Sequence, residues 1–450
     1  MRPWDLTDWS NARNSSSGSS PRHAVGGGWE YAAVIQHNWE LVIYKRAVDT
    51  ETWTSSFNFP DNGFSQFLVQ VNDSHNSIAI TVDSLGYIHV VGNSHDKASE
   101  GLRYLRSTNP HNISAWTVPA VPAGWAEGSP DSHVVSTYFA FQTFSDGEVF
   151  MAASMSEQFE NPSVGGRDYG LWKIPVGSNT LVPVRGGILA EIMVADGGVA
   201  NTDEIPDRSY MHGFHIDHND VLHIVGVWRM ATSDPDSMLE TFYVRSTDRG
   251  VTWENVLGES VDAPFTYRKV LDGDTGSAPC AVKVAGESIS SRSFGNIAVD
   301  VGGNPYFTTL TVTSKDLLVY HNGTEWLSYE FPNPGPSNFQ HNSNPPVVAR
   351  VGPRIWVFSC DIQLSLGTDK GKWYGAPWHP DLDDWIVDMG VVSRNTPDGV
   401  YTYEDGATFM PSPIWSGGNV DGRPAAVFMM PDGDLPMTRG IGTNVRQGSV

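Results

Sequence analysis

This sequence of 450 residues predicts an all-β fold, a seven-bladed β-propeller, on three observations. The first is composition. With 45 glycines, 29 prolines and 16 tryptophans the chain is interrupted throughout, and no sustained apolar stripe of helical period marks a long helix. The second is a recurring unit, an alternating apolar strand, an Asp or Gly turn, then another alternating strand. The third is a complete Asp box, Ser246-Thr-Asp248-Arg-Gly250-Val-Thr252-Trp253, a turn that joins the outer strands of a propeller blade. Its Asp caps turn donors, its Gly takes a left-handed position and its Trp packs between sheets. Closing the units into a ring removes exposed edges, and seven units of about 58 residues fill the chain.

Residues 1–28 read as a flexible leader, low in complexity from residue 10 onward; 29–432 read as the propeller, and 433–450 as a polar, Gly-rich tail. Trp29–Lys45 leaves room for a first unit. Ile78–Val91 turns at Asp83, Phe139–Ala152 at Asp146-Gly147, and Gly213–Val227 at Asp217 to Asp220. Asn296–Leu310 turns at Asp300 to Gly303 and Val347–Phe358 at Gly352-Pro353, with room for a last unit over Ile386–Phe409. Ser107–Trp116 and Gly367–Trp373 read as degraded Asp boxes.

Charge and composition exclude several functions. The net charge is −23, from 28 basic and 51 acidic residues, so there is no basic footprint for nucleic acid. An anionic ligand would need a locally positive cleft. Two cysteines, Cys280 and Cys360, are too few for a disulfide scaffold; free thiols, one bridge or metal ligation stay open. No run of about 18 apolar residues is available to span a membrane. The start, Met-Arg-Pro-Trp-Asp-Leu-Thr-Asp, lacks an apolar signal core. The expected location is extracellular, with a signal already removed, or on a virion; the expected state is a monomer.

Placing the turns in register converts the repeat into a site. His75 and His95 lie equidistant from the turn near residue 85, so an antiparallel hairpin brings them together at its open end, about 5 Å apart. Two imidazoles side by side at a sheet rim suit acid/base chemistry. In the 213–227 copy the matching positions are Ser209, next to Tyr210, and Arg229; in the 296–310 copy Arg292 takes the place of His75. His341-Asn342-Ser343 repeats His75-Asn76-Ser77. Rotation of blades about one axis gathers His75, His95, Tyr210, Arg229, Arg292 and His341 into a ring of proton carriers and guanidinium groups. His89 and His223, inside second strands at equivalent places, read instead as packed, hydrogen-bonded structural residues.

These residues give the chain its resemblance to the BNR-repeat polysaccharide lyases of the ulvan-lyase type. The resemblance covers about residues 65 to 265, from Asp73-Ser-His75-Asn76 and Asn93-Ser-His95, through Ser136-Thr-Tyr138-Phe and Asp146-Gly147, to Tyr210-Met-His212, Trp228-Arg229 and the Asp box. It implies a seven-bladed propeller that cleaves uronate-containing, often sulfated polysaccharides by β-elimination. It implies that His75 and His95 are the catalytic histidine pair, Tyr138 the catalytic tyrosine and Tyr210 a second active-site tyrosine. One departure stands out: where such proteins usually carry Tyr-Arg, this chain reads Phe150-Met-Ala-Ala-Ser-Met-Ser-Glu157. Arg167 and Arg229 are the candidates to replace that arginine. Asn76 would add an amide donor, and Arg292 and His341 would bind neighbouring sugar or sulfate groups.

The chemistry needs no cofactor. The family often carries a structural zinc; Cys280, Cys360, His341 and His379 could supply ligands, but their spacing matches no closed four-ligand pattern, so a structural zinc or calcium ion stays open. The expected partner is an acidic polysaccharide. Two other classes compete. A non-catalytic glycan-binding propeller, an adhesin or phage receptor-binding protein, would bind without forming a double bond. A sialidase-like hydrolase would need an arginine triad and an early Arg-Ile-Pro; the nearest match, Pro353-Arg354-Ile355-Trp356, comes late in the chain.

Overall fold

The computed structural model describes residues 23–35, 41–47, 50, 53–56, 78–92, 103–119, 137–156, 167–185, 191–193, 208–229, 238–330 except 275, 312 and 314, 347–351, 354–361, 372–377, 388–391, 412–415 and 426–429. Their strands form six sheets of mainly antiparallel pairs, the third and fourth units in chain order sharing one sheet through a single bridge between Arg167 and Arg208. The first pairs β1 (His23–Gly26), β2 (Trp29–Ile35), β3 (Leu41–Ala47) and β4 (Thr54–Ser56) in sequence. The second pairs β5 (Ile78–Val82), β6 (Ile88–Gly92), β7 (Arg103–Ser107) and β8 (Trp116–Thr117). In the third, β9 (Thr137–Thr143), β10 (Val149–Ser156) and β11 (Arg167–Ile174) are followed by short strands β12 (Val182–Pro183) and β13 (Glu191–Met193), both on β11. The fourth runs β14 (Arg208–Ile216), β15 (Leu222–Arg229), β16 (Met238–Ser246), β17 (Trp253–Glu254) and β18 (Ser260–Val261). A short helix, α1 (Tyr267–Asp272), and a hairpin of β19 (Lys283–Val284) and β20 (Glu287–Ser288) lead into the fifth. That unit holds β21 (Ser291–Val299), β22 (Pro305–Thr311), β23 (Asp316–His321) and β24 (Trp326–Glu330). The sixth pairs β25 (Val347–Val351), β26 (Arg354–Asp361), β27 (Lys372–Pro377) and β28 (Asp388–Val391); β29 (Ser412–Trp415) and β30 (Ala426–Met429) form the last. Among the described residues no helix is long and apolar enough to cross a membrane.

The first strands of successive units lie against one another, β1 on β5, then β9, β14, β21 and β25, and β29 returns to β1. That is the arrangement of propeller blades around an axis. Apolar layers fill the gaps between blades. Tyr31, Leu41 and Ile43 meet Ile78, Val90 and Leu105; Phe150, Tyr169 and Leu171 meet Met211, Trp228 and Phe242; Val225 and Tyr243 meet Ile297, Phe307 and Trp326. A blade is covered on both faces, so β5 and β6 are buried at every residue, and their sequences read as nearly continuous apolar runs. Of the two polar exceptions, Thr81 and His89, Thr81 shares a hydrogen bond with Thr143 of the next blade (2.9 Å).

Two boundaries differ from the sequence expectation. β1 starts at His23, inside the segment read as leader, because Gly27 and Gly28 (φ 59° and 78°) are the two-residue turn of a hairpin that pairs Gly26 with Trp29. Two consecutive positive φ angles favour glycine, and this turn matches the twist of its strands. At the other end, Asp388–Val391 pairs with β27 and completes the sixth blade. The described strands of the last unit therefore fall at 412–429, not within Ile386–Phe409.

The aspartate turns do what their sequence predicts. Asp217 Oδ1 accepts from the N–H groups of Asn219 and Val221 (2.8 and 2.9 Å), Asp83 Oδ1 from Leu85 and Tyr87 (3.0 and 2.8 Å), and Asp300 Oδ1 from Gly302 and Asn304 (2.8 Å each). Neighbouring turns are also fastened to one another. Ser84 Oγ donates to the Asp146 carbonyl (2.9 Å), Ser145 Oγ to the Asp220 carboxylate (2.5 Å), and Arg249 to Asp146 and Glu148 (2.8 Å each). The Asp box closes as read: Asp248 Oδ1 accepts from Ser246 Oγ and Thr252 N (2.8 Å each), Gly250 has φ 85°, and Trp253 packs edge-on against Phe265.

His89 and His223 are structural, as expected. Each Nδ1 shares a hydrogen bond of 2.7 Å with a buried tyrosine, Tyr104 or Tyr243, and each Nε2 faces a turn aspartate, Asp83 at 3.6 Å or Asp217 at 3.4 Å. The tautomer that suits both partners carries its proton on Nε2. Burial lowers both imidazoles from their ordinary 6.5, outweighing the aspartates. The unfolded chain therefore binds these two protons at a higher pH than the native one. Stability is complete above the ordinary value and declines as pH falls below it, by up to about 1.4 kcal/mol per pH unit for each ring. Urea unfolding at about pH 7.5 and about pH 5.5 should show a lower stability at the acid value, a loss that His89→Phe and His223→Phe diminish; a pH-independent midpoint would count against it.

Candidate functional site

The aspartate turns occupy one end of the blades, so the starts of first strands and the ends of second strands occupy the other, the mouth. Tyr138 lies there, near the start of β9. Between Ala152–Ala140 and Ser154–Thr137 the register slips, leaving Tyr138 and Phe139 opposite Ala153 alone. This is a β-bulge, a device that re-aims a side chain. Tyr138 has φ 53°, a left-handed conformation that costs a bulky residue on the order of 1–3 kcal/mol and persists where the surroundings over-determine it. The surroundings are two apolar layers, on both sides of the fourth blade, against which the half-buried Tyr138 packs. Its ring lies 6.1 Å from that of Tyr210, tilted by 58°. Tyr210 itself is buried in β14. The two tyrosines named by the resemblance thus meet at the interface of the third and fourth blades.

Arginine backbones line up beside them. Arg229 ends β15 opposite Arg208, the first residue of β14, and Arg208 bridges in parallel to Arg167, the first residue of β11. Three guanidinium-bearing residues therefore occupy adjacent strand positions at the mouth of an otherwise acidic chain. Arg167 and Arg229 were candidates from the sequence. Arg208 was not, although extending the hairpin register from the Asp217 turn past one extra residue would have found it opposite Arg229. Arg292 occupies a bulge of β21, between Ser291–Thr311 and Ser293–Leu310, at the mouth of the fifth blade. His75, Asn76, His95 and His341 lie outside the described residues. His212, named in the resemblance without a role, is the bulged residue of β14.

Of the metal ligands considered, only the Cys280 side chain is described. Cys280 is buried in the apolar layer beside α1, and burial pushes its thiol up, away from the thiolate that binds metals. Cys360 stands on β26; His341 and His379 lie outside the described residues. Among the described residues no three His, Cys, Asp or Glu side chains group to hold an ion.

The comparisons agree with this architecture. A polysaccharide lyase of family PL25, an ulvan lyase bound to -GlcA(1-4)Rha3S-, superposes with a TM-score of 0.66 at 12% identity, over 97% of this chain and 96% of its own. The polysaccharide lyase Uly1 superposes with a TM-score of 0.57 at 14% identity, over 94% of this chain and 89% of its own. No curated protein matches by sequence. The model of the BNR repeat-containing family matches residues 29–162 and 183–333, more than half of the chain, and the protein is a member of that family.

Proposed function

We propose that this protein is a polysaccharide lyase that cleaves an acidic, sulfated, uronate-containing polymer of the ulvan type by β-elimination. The observation that carries the reading is the strained Tyr138 beside the row Arg167, Arg208 and Arg229. Strain held in place at a mouth is characteristic of a working group, and arginine is the side chain best suited to bidentate recognition of a carboxylate or a sulfate. The shared fold with two polysaccharide lyases supports it.

β-Elimination of a uronate needs its carboxylate neutralised, its C5 proton removed and its O4 leaving group protonated. The arginine row, with His95 and Asn76, serves the first need, by charge-assisted hydrogen bonds that strengthen as negative charge develops. His75 takes the C5 proton, the C4–O4 bond breaks as the C4–C5 double bond forms, and the Tyr138 hydroxyl gives its proton to O4. Tyr210 supports the Tyr138 ring. Arg292 and His341 hold flanking sugars or sulfates. The β5–β6 register, which pairs Ile78 with Gly92, agrees with the equidistant placing of His75 and His95 about the turn in the sequence and favours the histidine roles. Such a polymer is met outside the cell or on its surface, which agrees with a secreted or virion-borne protein.

The test is to incubate the purified protein with a panel of acidic polysaccharides and follow unsaturated uronyl ends by their ultraviolet absorbance. A rising signal with one of them is the expected outcome. Tight binding with no absorbance change would favour the non-catalytic glycan-binding reading instead.

A further inference from the structure

Extra residues fall at the mouth in three successive first strands. In β9 the extra residue is at Tyr138; in β14 it is His212, between Met211–Gly226 and Gly213–Val225; in β21 one is Arg292 and a second falls at Gly295-Asn296, opposite Thr308. Tyr138, His212 and Arg292 bear different chemistries, phenol, imidazole and guanidinium. A first strand is bonded along its length to its second strand on one side only. An inserted residue disrupts the ladder there and bends the strand, and the free edge lies toward the neighbouring first strands around the axis.

The β14 backbone is held on both sides of position 212. Two residues before it, Tyr210 packs on Tyr138 of the preceding blade. One residue after it, a Cβ on Gly213 would stand 2.9 Å from Ile297 Cγ2 and 3.0 Å from Ile297 Cβ of the following blade. The first strands of the fourth and fifth blades thus approach so closely beside His212 that only glycine fits without displacement. His212 precedes its turn residue Asp217 by five positions, and Tyr138 precedes Phe144 by six, so the two stand at nearly the same height along the axis.

We infer that His212 is a proton relay of the reaction centre, from the juxtaposition of its bulge with that of Tyr138 on adjacent first strands; the inference rests on the lyase reading above. After Tyr138 gives its proton to O4 it is left as a phenolate. Protonated His212 returns a proton to that oxygen, restoring the phenol, and takes a new proton from solvent. Imidazole suits this role because it changes charge near neutral pH.

The experiment compares wild type, His212→Ala and His212→Gln on a polymer that wild type cleaves, across about pH 5 to 9, with and without added imidazole. Loss of a proton carrier should lower kcat by about 10²-fold with KM within about threefold, remove one limb of the kcat–pH profile and allow partial rescue by free imidazole. Far-UV circular dichroism and the thermal midpoint check the fold; His212→Gln, the closer replacement in shape, stands in if the alanine variant fails to fold. A kcat within threefold of wild type, or a loss with an unchanged pH profile and no rescue, overturns the relay while leaving the lyase reading intact. Absence of unsaturated product from wild type on every polymer overturns the lyase reading and the relay with it.

Discussion

Tyr138→Phe deletes one hydroxyl, and the rate of unsaturated product formation should fall by about 10²–10⁴-fold, the usual contribution of a well-placed proton donor. The ring stays, so its packing on Tyr210 and on both apolar layers stays. So does the left-handed backbone, which depends on the bulge. Folding stability should therefore change little, and the loss should appear in kcat with KM nearly constant, the pattern of a group that acts in the transition state. His75→Ala should abolish product formation with the fold intact. Initial rates by ultraviolet absorbance, alongside thermal unfolding, check both. A Tyr138→Phe protein that retained rates within about threefold would remove Tyr138 from the proton transfers.

The largest effect on stability is expected at Asp217. Asp217→Ala leaves two turn N–H groups, of Asn219 and Val221, without their acceptor and takes away the carboxylate facing His223. Breaking a buried polar cluster by removing one member costs about 3 kcal/mol. Burial by itself would raise the Asp217 carboxyl, but His223 and the two N–H groups more than offset it and hold the group down to about 2, below its ordinary 3.8. Its contribution is thus present above the ordinary value and is lost as pH falls through about 2. The third blade shows an apolar alternative: Phe144 and Phe150 hold the positions of Asp217 and His223, edge to face with centroids 4.8 Å apart. Asp217→Phe with His223→Phe should accordingly recover part of what Asp217→Ala loses. Equilibrium urea unfolding measures all three; a loss below about 1 kcal/mol for Asp217→Ala would contradict the account.

The hairpins were legible because two local signals coincide, an alternation of apolar residues and a turn whose Asp caps its own backbone or whose Gly takes a positive φ. Asp83, Asp217 and Asp300 behave alike in sequence and in structure. The Asp box was legible for the same reason. Gly27 and Gly28 misled because a glycine pair looks the same in a mobile leader and in a two-residue hairpin turn; only the partner Trp29 to Gly26 decides. Asp388–Val391 misled because a fourth strand and a new first strand have the same pattern, and β27 decides between them. At the mouth, Tyr138 was reached through resemblance alone. The bulges that set Tyr138, His212 and Arg292 apart are properties of a strand pair, created when one strand has a residue more than its partner. No single strand's sequence carries that count, which is why Arg208 was passed over and His212 was named without a role.

The segment between the fourth and fifth blades binds both of them. Its residues Cys280 and Ile289 accept hydrogen bonds from Tyr243 and Thr241 of β16, while β19 pairs in parallel with β24, Val284 beside Trp326. These two blades are consequently not interchangeable modules. Deleting or duplicating the fourth would strand an edge of the fifth, so recombination or engineered resizing of this ring should succeed at other blade junctions sooner than at this one.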